Sequence, residues 1–136
     1  MSRRLTFPRS HRVRTPREYA AVYDAGVRES RGPILVYSLA NGLAHSRMGL
    51  SVSRKVGTAP KRNRIRRLLR EAFRHMQHDL PCGYDWVIVV RPHEPLMLAE
   101  YQRLLMAAAL KLHAAWQHRA TAARAATTTK PSSGET

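Results

Sequence analysis

Acid is what this chain lacks. Nine Asp and Glu stand against 24 Lys and Arg in 136 residues, a formal net charge of +15. A folded domain with that excess repels itself, so a polyanionic partner is the expected reason for it. Nucleic acid fits, because each neutralised phosphate releases a condensed counterion. The acids are also scattered along the chain, without the clustered pair that a metal-dependent nuclease uses. Cysteine is nearly absent. Cys82 alone excludes an internal disulfide and any Cys-x-x-Cys motif, which leaves a buried or idle thiol. No apolar run approaches the ~18–20 residues that span a bilayer. The first 14 residues carry arginine but no continuous apolar stretch of the kind a secretory signal needs, so a cytoplasmic protein is expected. Walker-type loops and the Gly-x-Ser-x-Gly elbow are missing too. His75 and His78, at i and i+3, are compatible with a metal site, but without a third ligand they read as surface histidines.

The length suits one domain, and the composition divides the chain into three parts. Residues 1–14 contain Arg3, Arg4, Arg9, Arg12 and Arg14 and no acid, which reads as a flexible basic arm. Residues 15–118 hold the periodic segments of a single RNA-binding domain. Residues 119–136 are mostly Ala, Thr, Ser, Pro and Gly without periodicity, a tail expected to be disordered. Within the domain, Thr15, Pro16 and Glu18 form a Thr-x-x-Glu capping box, and Gly26 closes the helix that follows. Pro33 to Ala40 reads as a strand. Asn41-Gly42 opens a hairpin loop, and Arg47 to Ser53 is the return strand. There Met48, Leu50 and Val52 face one way, while Arg47, Gly49, Ser51 and Ser53 face the other, a small polar side that lets a bulky group approach the backbone.

Thr58 caps a central helix with Pro60 in its first turn. Ile65, Leu68, Leu69, Ala72, Phe73 and Met76 form its apolar stripe. Tyr84 to Arg91 is nearly continuously apolar and should lie in mid-sheet, buried on both faces. Pro95 starts a last helix whose inner face is Met97, Tyr101, Leu104, Leu105, Ala108 and Leu112, extended by Trp116. The expected architecture is an α/β (α+β) two-layer sandwich with a possible βαβ unit.

Lys61 to Arg74 holds seven basic residues and one acid. At 100° per residue, Arg62, Arg66, Arg70 and Arg74 run from the edge of the apolar stripe to its far side, so the helix packs and still presents a cationic ridge. A merely solvated, ion-paired face needs acids at i±4, and only Glu71 is available. The ridge points to RNA or DNA. No helix-turn-helix pairing accompanies it, which ranks DNA lower.

Arg62-Asn63-Arg64, followed by Ile-Arg-Arg-Leu-Leu-Arg-Glu-Ala-Phe, resembles the signature of the bacterial ribonuclease P protein family. So does Gly49-Leu50-Ser51-Val52-Ser53-Arg54-Lys55-Val56-Gly57, and the two motifs stand in the family's order and spacing. The resemblance runs from about Arg12 to Trp116. It departs at Thr58-Ala59-Pro60-Lys61, where the family usually has Asn-Ala-Val, so a contact made by that Asn is missing here.

The resemblance implies a ribosomal protein S5 domain 2-like fold, in the order α-β-β-(β)-α-β-α, with a left-handed βαβ crossover. It implies a protein subunit of ribonuclease P, whose RNA subunit carries the catalysis with Mg2+ while the protein has no catalytic residue and no metal of its own. The partners implied are ribonuclease P RNA and precursor tRNA, with no membrane and no obligate protein partner. Arg54, Lys55, Lys61, Arg62, Asn63, Arg64, Arg66, Arg67 and Arg70 are then the contacts to the RNA subunit. Tyr19, Tyr23, Tyr37, Ser51 and Ser53 line a cleft for the single-stranded 5′ leader, since aromatic faces stack on unpaired bases without demanding one sequence. By spacing alone the tyrosines read instead as side chains that cap the core with their hydroxyls in water. The alternative for the whole chain is a structural RNA binder such as a ribosomal protein.

Overall fold

The computed structural model describes residues 9–134, with side chains over residues 10–123. Helix α1 (Pro16–Ala25) is fixed at both ends as the sequence predicts. Thr15 Oγ1 accepts from the Glu18 N–H at 3.1 Å, and Glu18 Oε1 accepts from the Thr15 N–H at 3.0 Å. Gly26 ends the helix at φ 71°, a left-handed conformation that glycine adopts without a Cβ penalty. Strands β1 (Val27–Arg31), β2 (Ile34–Ala40) and β3 (Arg47–Val52) follow. A 3-10 turn at Arg54–Val56 then leads into helix α2 (Ala59–Met76), strand β4 (Tyr84–Val90) and helix α3 (Leu98–Gly134). Thr58 caps α2, accepting from the Lys61 N–H at 3.4 Å.

The sheet order is β1-β2-β4-β3, with β3 parallel to β4 and the other pairs antiparallel. The predicted β3-α2-β4 unit is therefore present, but the hairpin predicted across Asn41-Gly42 is not. β4 lies between β2 and β3. As the most apolar strand it needs a neighbour on each side, and it takes both. Asn41 is tied to β4 instead: its N–H donates to the Gly83 carbonyl at 2.9 Å and its Nδ2 to Asp85 Oδ1 at 2.9 Å. The real hairpin is β1-β2, turning at Gly32-Pro33. β1 is Val-Arg-Glu-Ser-Arg, too polar to register as a strand from sequence, and it fills the bracketed place in the expected order.

Both faces of the sheet are used, unequally. Ile34, Val36, Met48, Trp86, Ile88 and Val90 point to α2 and α3 and meet Ile65, Leu69, Phe73, Tyr101, Leu105 and Leu112 in the main core. On the other face α1 packs over a small cluster of Val13, Val22 and Val87. Val13 belongs to the segment expected to be a free arm. Its N–H donates to the Met48 carbonyl at 3.1 Å, and Arg12 bridges to Met48 in parallel, so the described end of that segment is docked on edge strand β3. Arg3 and Arg4 lie outside the described residues.

Two boundaries at the C-terminal end also move. α3 begins at Leu98 rather than Pro95, which leaves Met97 81% exposed while Leu96 and Leu98 pack against the core. The helical backbone continues past Arg119 to Gly134, where a disordered tail was expected. Residues 119–123 are exposed, so high alanine helix propensity, not packing, accounts for the extension there.

Candidate nucleic-acid interface

Strand register divides the face under α1 into three rows. Leu39, Asp85 and Arg47 form the first, Arg28, Tyr37, Val87 and Gly49 the second, and Ser30, Leu35, Val89 and Ser51 the third. The first row anchors the start of α1. Arg47 donates to Asp85 at 2.8 and 2.5 Å and to Glu18 Oε2 at 2.9 Å. Asp85 is only 3% exposed, and its carboxylate is satisfied there by Arg47 and the Asn41 amide, as a buried polar group must be. These bonds, the one to Asp85 foremost, push the Arg47 pKa upward. Glu18 is held at about 2, first by the N–H groups of Arg14 and Thr15 and then by Arg47.

The second row seats α1. Val22 lies on Val87. Tyr23 meets Tyr37 edge-on at 4.9 Å between centroids, Tyr19 stands 6.5 Å from Tyr23, and the Arg28 guanidinium is 5.8 Å from the Tyr37 ring. Tyr19 crosses Gly49 to reach the edge of the sheet. Its hydroxyl accepts from the Leu50 N–H at 3.2 Å and donates to the Leu50 carbonyl at 3.3 Å, and burial pushes its pKa up. A Cβ at Gly49 would sit 2.6 Å from that hydroxyl, which is why the strand carries glycine here. The three tyrosines predicted from the family pattern are thus one contiguous, half-buried array. The core-capping reading holds in part for Tyr19, whose hydroxyl is tied to backbone.

The third row is left half-covered. Leu35, Val89 and Ser51 are half-buried and Ser30 is exposed. Together with the tyrosine array they form a groove with an apolar floor. Its far end is basic: exposed Arg54 and Lys55 follow β3, and Arg91 follows β4, donating to Ser30 Oγ at 2.8 Å. Ser53, on the same side of the strand as Ser51, is exposed at the head of the 3-10 turn.

The arginine ridge lies next to this groove. Arg12, Arg66 and Arg70 share a concavity with Tyr19 and Gly49. Arg12, Asn63, Arg66, Arg67, Arg70 and Arg74 line the adjoining one. The ridge is not uniform. Arg62 donates to the Gly57 carbonyl at 3.2 Å, and Arg66 donates to Asn63 at 2.9 Å and to the Val52 carbonyl at 3.3 Å. Lys61 pairs with Glu94 at 2.6 Å, across elements that sequence spacing does not connect. Arg64, Arg67 and Arg70 are exposed. At the end of the ridge Glu71 binds Arg74 at 2.5 Å and His75 at 2.8 Å, which holds the Glu71 pKa at about 2. Sequence reasoning missed Arg12 and Arg28, because nothing in their spacing says which strand each lies beside.

The family model described as Ribonuclease P matches residues 7–117. The chain belongs to the ribonuclease P protein family. A ribonuclease P protein component from Brevibacillus brevis is 41% identical over 93 residues, covering 68% of this chain and 74% of that one. One from Xanthomonas campestris is 49% identical over 86 residues, covering 62% and 57%. Among solved structures, the RNase P protein of Staphylococcus aureus superposes with a TM-score of 0.65 at 28% identity, over 76% of this chain and 94% of that one. The RNase P protein of Thermotoga maritima gives 0.63 at 29% identity, over 69% and 90%. Membership decides between the two readings the sequence left open, in favour of ribonuclease P over a ribosomal protein. The chain is thus the protein component of the ribonuclease P holoenzyme. Among the described residues no helix is long and apolar enough to cross a membrane.

Proposed function

We propose that the exposed arginines of α2 hold the catalytic RNA of ribonuclease P, while the tyrosine-lined groove takes the single-stranded 5′ leader of precursor tRNA. The observation that carries this reading is the shared border. Tyr19 belongs to the aromatic array and also lies beside Arg12, Arg66 and Arg70. A strand stacked on the tyrosines therefore runs next to whatever the ridge holds, which is the arrangement a subunit needs to bring a leader to a catalytic RNA. Guanidinium forks suit phosphate, and ring faces suit unpaired bases.

Six of the nine carboxylates are engaged in ion pairs. Glu18 and Asp85 pair with Arg47, Glu29 with Arg31, Glu71 with Arg74, Glu94 with Lys61 and Glu100 with Arg103. Among the described residues no group of three His, Cys, Asp or Glu side chains is placed to hold a metal ion. In this reading phosphodiester hydrolysis and its Mg2+ belong to the RNA subunit, as the family resemblance implies, and the protein's work is binding and orientation. Precursor tRNA as substrate puts the assembled enzyme in the cytoplasm.

The test is a pair of titrations on each variant. Replacing Tyr23 and Tyr37 with Leu should weaken precursor tRNA binding to the assembled enzyme by about 1–3 kcal/mol per lost stacked base and leave mature tRNA unaffected. Replacing Arg64, Arg67 and Arg70 with Ala should weaken assembly with the RNA subunit and flatten its salt dependence by about one counterion per lost phosphate contact. If the Tyr variant binds precursor as tightly as the parent, the groove does not hold the leader.

A further inference from the structure

Three segments far apart in sequence meet beyond the end of the arginine ridge. They are the 3-10 turn Arg9–His11, the loop 41–46 and the turn joining α2 to β4. His11, His45 and His78 line the concavity between them, with Ser46, Gln77 and Cys82. The His11 and His45 rings lie 4.2 Å apart between centroids, tilted by 38°. His45 Nε2 is 3.0 Å from the Ser10 carbonyl oxygen. A carbonyl only accepts, so this nitrogen carries a proton and Nδ1 is the position left to gain one. His11 Nδ1 lies 3.2 Å from the Ser10 hydroxyl.

The charges around the pocket are unequal in sign. Arg12 follows His11 and lines the arginine groove. Arg74, one turn before His78, is paired with Glu71. On the sheet side Arg47 and Asp85 neutralise one another. Asp79 is exposed beside His78, and none of the residues lining the pocket is an acid. Two positive charges on rings 4.2 Å apart would repel one another, with no carboxylate lining the pocket to offset them. Burial, then His45 and His78, accordingly hold the His11 pKa below its ordinary value. An anion seated against the edges of the two rings reverses that balance, because it accepts from both imidazoles in their ring planes and offsets their mutual repulsion.

We infer that this histidine pocket is a seat for a backbone phosphate of the RNA that lies along α2, and that the phosphate binds together with a proton taken up by the histidines. The inference rests on the reading of α2 as the RNA-holding face. A strand following Arg66, Arg70 and Arg74 reaches the pocket past one acid, Glu71, which Arg74 and His75 already hold.

The experiment measures binding of the full chain to its RNA subunit from pH 6 to pH 8 at constant ionic strength. The parent's affinity should fall as pH rises, by about threefold to tenfold per pH unit for one linked proton. A His11→Gln/His45→Gln chain should be nearly flat over the same range and close to the parent at pH 8. His78→Gln, which leaves the His11–His45 stack in place, should give an intermediate slope and guards against misfolding of the double variant. Equal pH slopes in parent and variants would overturn the pocket. Arg64→Ala, Arg67→Ala and Arg70→Ala together distinguish the two levels of the argument. If they weaken binding while the histidine variants keep the parent's slope, only the pocket is lost. Parent-like binding by the arginine variant removes both the pocket and the α2 reading.

Discussion

The two faces of the sheet are built on different principles. Toward α2 and α3 the contacts are apolar and continuous, from Ile34 through Trp86 to Phe73 and Leu112. Toward α1 only Val13, Val22 and Val87 are buried apolar side chains among the described residues, and the rest is done by a buried ion pair, a tyrosine array and a glycine. Apolar burial is non-directional and roughly proportional to area, so it stabilises a face without shaping it. Hydrogen-bonded polar groups stabilise less but fix positions, and they allow a row of the sheet to stay half-open beside them. The face that is less well filled is the one with a groove.

Truncation in the apolar core should have the largest effect. Phe73→Ala should cost about 3–5 kcal/mol of unfolding free energy, whereas Leu35→Ala on the half-open row should cost about 1 kcal/mol or less and alter leader binding instead. Denaturant unfolding of both, with precursor tRNA titrations on the second, checks the contrast. Equal losses of stability would mean that the third row is core. Next in size is the ion pair. Asp85→Ala leaves Arg47 with Glu18 as its one remaining carboxylate partner and should cost about 3 kcal/mol, measured the same way. A cost near zero would show that water replaces the carboxylate freely.

Gly49→Ala comes third, at about 1–3 kcal/mol. The added methyl pushes the Tyr19 ring out of its buried seat. Burial is what raises this pKa, against the lowering effect of the Leu50 N–H, so exposure should bring the tyrosine pKa toward its ordinary value, and a spectroscopic pH titration reads this separately from stability. An unmoved tyrosine titration would mean that the ring accommodates the methyl without leaving Leu50.

The smallest effect is acid-linked. The Glu18 pKa lies at about 2 against an ordinary 4.5. Its contribution is therefore complete above about pH 4.5 and is lost as pH falls toward 2. Because the side chain is partly exposed, solvent screening reduces that contribution to on the order of 1 kcal/mol. Glu18→Gln keeps the capping geometry, so its stability deficit relative to the parent should shrink between pH 6 and pH 3. A deficit constant with pH would assign the loss to something other than the carboxylate charge.

Local rules settled much of this protein from its sequence. The Thr15 and Thr58 caps, Gly26 at the helix end, the apolar stripe of α2 and the alternation of β3 each depend on residues a few positions apart, and each stands where those rules put it. The arginine helix was legible for the same reason, since its face follows from 3.6-residue geometry. The family motifs named the tyrosines. Strand pairing was decided only in three dimensions. The Asn41-Gly42 turn looks local, but β4, more than 40 residues on, takes the place between β2 and β3 because its apolar side chains need cover on both faces and its backbone needs two partners. That insertion brings Asp85 beside Arg47 and puts Val89 beside Leu35 and Ser51 on the floor of the groove. Arg12 likewise reaches Tyr19 and Arg70 only because Val13 docks on the edge of β3. Sequence determined which side chains the site contains. The order of the strands decided which of them touch, because pairing joins residues through space that no local spacing connects.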